Sequence, residues 1–188
     1  FDRDGNHDFL VVTGGLGRTV EGAATSLGKN GAELTATILG NLLDAEKITL
    51  WKRVDGVMSA DPQQVPGAEV IPELTYQEAT ELAYFGAEVL HPPAMTPALM
   101  KGISLAISNI DHPSEPGTVI SSKVTTTSNK PVKGFSIVNE VSLLNIEGAG
   151  MIGVPGISSR LFSSLQRRGI SVILISQASS EHSICCAV

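Results

Sequence analysis

Apolar positions along the chain change period several times, and each change marks an element. Leu34, Ile38 and Leu42 recur at i, i+4 and i+8 with Leu39 and Leu43 beside them, which predicts a helix with one broad apolar face. Ile48–Trp51 predicts a buried strand, and Phe9–Thr13 predicts another near the start. Val65–Leu74 is an extended connector containing Pro66 and Pro72. Thr75-x-x-Glu78 is then a capping box, opening a helix that runs to Phe85 and stops at Gly86, with Ala79, Leu82 and Phe85 as its buried stripe. HPPAMTPALMKG predicts a short helix entered through prolines and closed by Gly102. Strand Ile103–Ile107, the turn IDHPSEPG and a last short strand complete an α/β body.

The polar run Ser121–Pro131 reads as a linker. Beyond it, Val132–Ile146 is a strand region broken at Asn139-Glu140, EGAGMIGVPG is a glycine loop, and Ile157–Arg168 is an amphipathic helix carrying Leu161 and Leu165. Gly169 stops that helix, and strands Ile170–Ser176 and Ile184–Val188 follow. The second module therefore reads β-α-β-β, the first part of a ferredoxin-like unit. The expected organisation is 1–121 for the α/β body, 122–131 for the linker and 132–188 for the second module.

The stretch from Thr25 to Gln63 gathers the candidate chemistry. Gly28 and Gly31 let a backbone approach closely ahead of a helix whose first N–H groups are free for an anion. VDGV and ADP turn the chain at the carboxyl end of Ile48–Trp51, the end at which open α/β sheets bind ligands. This is a phosphate-handling arrangement, though such turns also occur for purely structural reasons. Asp55 and Asp61 stand either as helpers of a Mg-nucleotide or as ordinary turn residues. TGGLGRT contains Gly-x-Gly but no helical pattern follows it, so it makes a poor dinucleotide fingerprint.

A net charge of −6 over 188 residues argues against a nucleic-acid or anionic-membrane surface, and no apolar run is long enough to span a bilayer. FDRDGNHD lacks the features of a signal peptide. Cys185 and Cys186 are neighbours in a strand-like run and point to opposite faces, which disfavours a bridge between them and suits a reducing compartment. The histidines share no metal-ligand spacing; His91 reads as a capping or packing residue. Both ends have the look of cuts within a longer protein.

The runs LGKNGAELTATILG, VDGVMSADP, LTYQEATELAYFGAEVLHP and EPGT, with EGAGMIGVPGISSRLFSSLQRRGISVILISQASSEHS, resemble the aspartate kinases of the amino-acid-kinase family. ISQASSEHS is nearer to those fused to homoserine dehydrogenase. The resemblance implies the C-terminal part of an amino-acid-kinase-like sandwich followed by a partial ACT regulatory domain. It implies ATP-dependent phosphorylation of the L-aspartate side-chain carboxylate, with Mg2+ accompanying ATP. An end-product amino acid, threonine first among them, would bind the ACT domain. A homo-oligomer is implied, in the cytoplasm or, for a plant or alga, the plastid.

By the same resemblance Lys29, Gly31, Ala32 and Glu33 fall where the family's Arg-x-Gly-Ser-Asp run contacts aspartate. Lysine there keeps the charge but loses the bidentate fork of arginine. Lys52, Arg53, Asp55, Met58, Asp61, Gln63, Glu88 and Val89 fall on the nucleotide side. Lys52-Arg53 replaces a Thr-Asp pair, Met58 a tyrosine, Gln63 an arginine and Glu88 a lysine. Met151, Gly153, Val154, Pro155, Gly156, Ile175 and Gln177 fall at effector positions. The family's Lys-Phe-Gly-Gly-Thr-Ser strand lies upstream of this stretch, so the chain by itself is expected not to catalyse. The many changed liganding positions also admit a second function, a kinase-like scaffold that senses amino acids.

Overall fold

Ile48 and Leu50 are buried along β3 (Lys47–Lys52) while their neighbours are less so, and this period of two places one face of the strand in a core. β3 pairs in parallel with β5 (Ser104–Asn109), β5 antiparallel with β6 (Thr118–Ser121), and β6 in parallel with β4 (Glu73–Thr75). The sheet order is β3-β5-β6-β4. The computed structural model describes residues 9–84, 89–125, 131–177 and 182–188. The chain divides into two units, Phe1–Ile137 and Val138–Val188.

In the first unit, α1 (Gly31–Leu42) lies beside α3 (Pro92–Lys101), and α3 also touches α2 (Tyr76–Tyr84). Asn41 Nδ2 donates to Pro97 O at 2.6 Å across the α1–α3 seam. Leu74, Leu105, Ile107 and Ile120 are fully buried at the centre of the core. The face that α1 buries is not the predicted leucine stripe. Gly31, Thr37 and Gly40 are buried, whereas Ile38 and Leu42 are 38% and 60% exposed. A Cβ on Gly40 would stand 2.4 Å from Ile48 Cδ1, so the helix meets β3 through its small residues, where the backbones can approach most closely.

The capping box forms as expected. Glu78 Oε2 accepts from Thr75 N–H at 2.8 Å, and Thr75 Oγ1 accepts from Glu78 N–H at 3.1 Å. Lys133 Nζ reaches the same carboxylate at 2.8 Å. Burial by itself would raise the Glu78 pKa, but the bonds from Lys133 and Thr75 outweigh it and hold the carboxyl below its ordinary 4.5. A depressed folded pKa contributes stability that is complete above 4.5 and is lost as pH falls through the folded value. The stability advantage of the native chain over Glu78→Gln, followed by urea denaturation, is therefore expected to shrink as pH falls below 4.5. An advantage that stays constant on acidification would remove the linkage. The predicted end of this helix at Phe85 and Gly86 lies outside the described residues.

Three other expectations are corrected. Phe9–Thr13 is not a strand: Phe9 and Val11 are 82% and 87% exposed, and the run has no strand partner among the described residues. A short antiparallel hairpin, β1 (Leu16–Arg18) with β2 (Ala24–Ser26), follows it and had not been foreseen. Of Val132–Ile146, only the end is a strand, β7 (Leu143–Glu147). Residues 132–137 belong to the first unit, where Phe135 N–H donates to Ser59 O at 2.7 Å, and the compact units divide at Val138 and not at 132.

The second unit runs β7, a 3-10 turn at Ala149–Met151, α4 (Ile157–Arg167), β8 (Leu174–Gln177) and β9 (Ser183–Ala187). Its sheet order is β7-β9-β8, with β9 antiparallel to both neighbours. This is the split β-α-β arrangement of a ferredoxin-like unit. Leu165, Ile184 and Cys186 are buried in it, and Cys185 and Cys186 are both free.

Candidate functional site

α1 leads into β3 through a short turn, so the two elements run in opposite senses and the first turn of α1 stands beside the last residue of β3. Glu33 and Lys52 meet there. Lys52 Nζ lies 2.6 Å from Glu33 Oε1 and also donates to Val89 O. The two side chains are 18% and 17% exposed, so water screens this pair far less than a surface ion pair. The second oxygen, Oε2, is buried and has no hydrogen-bond partner among the described residues. Three of the expected positions, Glu33, Lys52 and Val89, are thereby brought together. Asn30, before the helix, is left-handed and offers no side-chain cap. Gly14 and Gly15 pack against Ala32, and Gly15 N–H donates to Thr35 Oγ1 at 3.0 Å. The Thr-Gly-Gly turn thus fits against the start of α1, a contact that the sequence reading missed.

β3 and β5 are parallel and in register, with Lys52 opposite Asn109, so the loops that leave them emerge side by side. Asn109 is buried and donates from Nδ2 to Asp55 Oδ1 at 2.7 Å. His112 Nδ1 lies 3.3 Å from both Asp55 Oδ1 and Asn109 Nδ2. The hydrogen bond from Asn109, and then that from His112, hold the Asp55 carboxyl below its ordinary value. A cavity of about 540 Å³ opens beside this cluster, lined by Asp55, Val70 and the loop from Asp111 to Gly117. Beneath it, buried Thr118 accepts from Val57 N–H at 2.8 Å and donates to Ile71 O at 2.7 Å. Asn109, His112 and Thr118 were not anticipated. The only signal for Asn109 and His112 is the expectation that adjacent parallel strands deliver their following loops to one edge.

The remaining nucleotide-side positions are scattered. Asp61 accepts from Gln63 N–H at 2.9 Å, the geometry of a turn residue, and Gln63 itself is exposed. Met58 pairs across to Val70, Arg53 is exposed at the strand end, and Lys29 is exposed ahead of α1. Glu88 lies outside the described residues. No group of three or more His, Cys, Asp and Glu side chains among the described residues is placed to hold a metal ion.

The effector positions cluster more tightly. A cavity of about 370 Å³ in the second unit is lined by Met151, Gly153, Val154, Pro155, Gly156 and Gln177, joined by Ile157, Ser158 and Ile184. Gly153 and Gly156 have φ of 69° and 84°, conformations that keep side chains out of the loop. Ile175 shares β8 with Gln177 but is not part of the lining.

Residues 4–109 match the amino acid kinase family. The chain belongs to that family. Residues 144–188 match an ACT domain. Among curated relatives, the bifunctional aspartokinase/homoserine dehydrogenase 2 of Arabidopsis thaliana is 44% identical over 95% of the chain. The bifunctional aspartokinase/homoserine dehydrogenase of Haemophilus influenzae is 41% identical over 93% of it. The chain spans 20% and 21% of those relatives' lengths. The crystal structure of Clostridium acetobutylicum aspartate kinase superposes with a TM-score of 0.79 at 27% identity, covering 93% of this chain and 40% of that one. Escherichia coli aspartokinase III in complex with aspartate and ADP gives a TM-score of 0.70 at 30% identity, covering 93% and 38%. Both units therefore have the fold expected of them, an amino-acid-kinase body and an ACT domain. Among the described residues no helix is long and apolar enough to cross a membrane.

Proposed function

We propose that this chain is the C-terminal part of the catalytic domain and the start of the regulatory region of an aspartate kinase, which transfers the γ-phosphoryl group of ATP to the side-chain carboxylate of L-aspartate. The carrying observation is similarity of 44% identity through both units, in one order, to a protein named for that activity. The relatives are named as enzymes, which favours catalysis over the amino-acid-sensing scaffold.

In the reaction a carboxylate oxygen of aspartate attacks the γ-phosphorus, the bond from that phosphorus to the ADP oxygen breaks, and an acyl phosphate leaves. Such a transfer depends on positioning and charge neutralisation more than on covalent help from the protein. Glu33 at the start of α1 is suited to hold the substrate ammonium. Lys29 and the amino end of α1 supply positive potential for its carboxylates. The VDGV turn, tied to the loop after β5 by Asp55 and Asn109, forms the floor on the nucleotide side, and Mg2+ arrives with ATP as part of the substrate. In this reading the cavity at Met151–Gly156 and Gln177, roomy enough for an amino acid, takes threonine as effector, in a homo-oligomer. The plant relative's name places that protein in the chloroplast; for this one the plastid or the bacterial cytoplasm follows from its host.

The test is ADP release by the complete protein with and without L-aspartate, with the acyl phosphate trapped by hydroxylamine. Aspartate-dependent release and hydroxamate formation are expected. No turnover at saturating substrates would overturn the proposal.

A further inference from the structure

Lys52 occupies a strand end that sequence position assigns to the nucleotide, yet its ammonium is engaged by Glu33, a position on the aspartate side, as well as by Val89. Its contacts are Glu33 Oε1 at 2.6 Å and the carbonyl of Val89. An ammonium held at two points fixes a carboxylate more firmly than a solvated lysine does, because neither partner is free to swing into water. The consequence falls on the other oxygen. Glu33 Oε2 is buried and has no donor among the described residues, an unfavourable state for an acceptor until a donor arrives. Oε1 is taken by Lys52, so a ligand's ammonium has one defined place to bind.

We propose that Lys52 is a positioning residue for the amino-acid acceptor, acting through Glu33, and not a nucleotide ligand. By holding one carboxylate oxygen it leaves the other, buried and without a donor among the described residues, as the acceptor for the α-ammonium of the substrate. It also lowers the cost of keeping the Glu33 charge out of water between turnovers. Arg53, the next residue, is exposed. The inference rests on the aspartate kinase reading above, and the experiment separates the two.

The complete protein is assayed for ADP release as native enzyme, Lys52→Met, Lys52→Arg and Glu33→Gln, and as the double variant Lys52→Met/Glu33→Gln. Lys52→Met is expected to raise KM for aspartate by about tenfold or more while KM for ATP stays within about twofold. Lys52→Arg keeps a cation and is expected to recover most of the loss. The double variant is expected to be no worse than the poorer single one, because both changes break the same contact. If Lys52→Met does not fold, Lys52→Gln, which retains hydrogen-bonding capacity without charge, is read in the same way. A rise in KM for ATP with KM for aspartate unchanged would overturn the inference and return Lys52 to the nucleotide. Native enzyme that never responds to aspartate would overturn the function itself.

Discussion

Thr118→Val is expected to lower the stability of the first unit by roughly 2–5 kcal/mol, although it changes the side chain's volume very little. Thr118 is fully buried, and its hydroxyl is both the acceptor for Val57 N–H and a donor to Ile71 O. Valine fills the space but leaves one N–H and one carbonyl without partners, each an unmet hydrogen bond away from water. Val57 belongs to the turn that carries Asp55, so the lost bond also releases the VDGV segment from β6. The measurement is the urea midpoint and slope of Thr118→Val beside Thr118→Ser, which keeps the hydroxyl. A valine variant as stable as the serine variant would show that the two hydrogen bonds contribute little.

Gly40→Val is expected to cost about 2–3 kcal/mol by overpacking the seam between α1 and β3. The added Cβ would come 2.4 Å from Ile48 Cδ1 and 2.8 Å from its Cγ1, and Ile48 is buried in the core. Relief comes from lifting α1, and lifting α1 draws Glu33 away from Lys52. Aspartate-dependent turnover should therefore fall together with stability. Ile38→Ala on the same helix is the contrast. On the stripe read from sequence it would be a core truncation of roughly 2–5 kcal/mol, whereas at 38% exposure its expected cost is under about 1 kcal/mol. Equal losses from the two variants would mean that α1 buries its leucine face after all.

That contrast also shows where the sequence was informative. Elements stabilised by local chemistry were legible: the Thr75–Glu78 box, the prolines that open α3, Gly102 at its end and the split β-α-β of the second unit. Glycine loops around Met151–Gly156 were legible for the same reason, since they require a particular backbone. What failed depended on partners. The apolar content of Phe9–Thr13 is that of a strand, but a strand needs a neighbour to bond with, and the run finds none among the described residues. The face of α1 was misread because helix burial follows the approach of the backbone, and two glycines outranked three large side chains. Glu33 and Lys52 were both singled out, but for different ligands. Nothing in a one-dimensional pattern says that a helix start and a strand end, 19 positions apart, share one ion pair. The Asp55–Asn109 contact spans 54 positions and is set by strand order alone.

Strand order has a further consequence in the second unit. β9 follows β8 in the chain, yet it lies in the middle of its sheet, between β7 and β8. As the ribosome extends the chain, β7, α4 and β8 emerge without the strand that joins them, and β7 and β8 expose unpaired backbone edges on which other nascent chains can assemble. Among the described residues, every pairing in that sheet waits for Ser183–Ala187. Pairing of β7 and of β8 thus begins together when Ser183–Ala187 arrives, and translation pausing just before Ser183 would lengthen the interval in which both edges are vulnerable to aggregation.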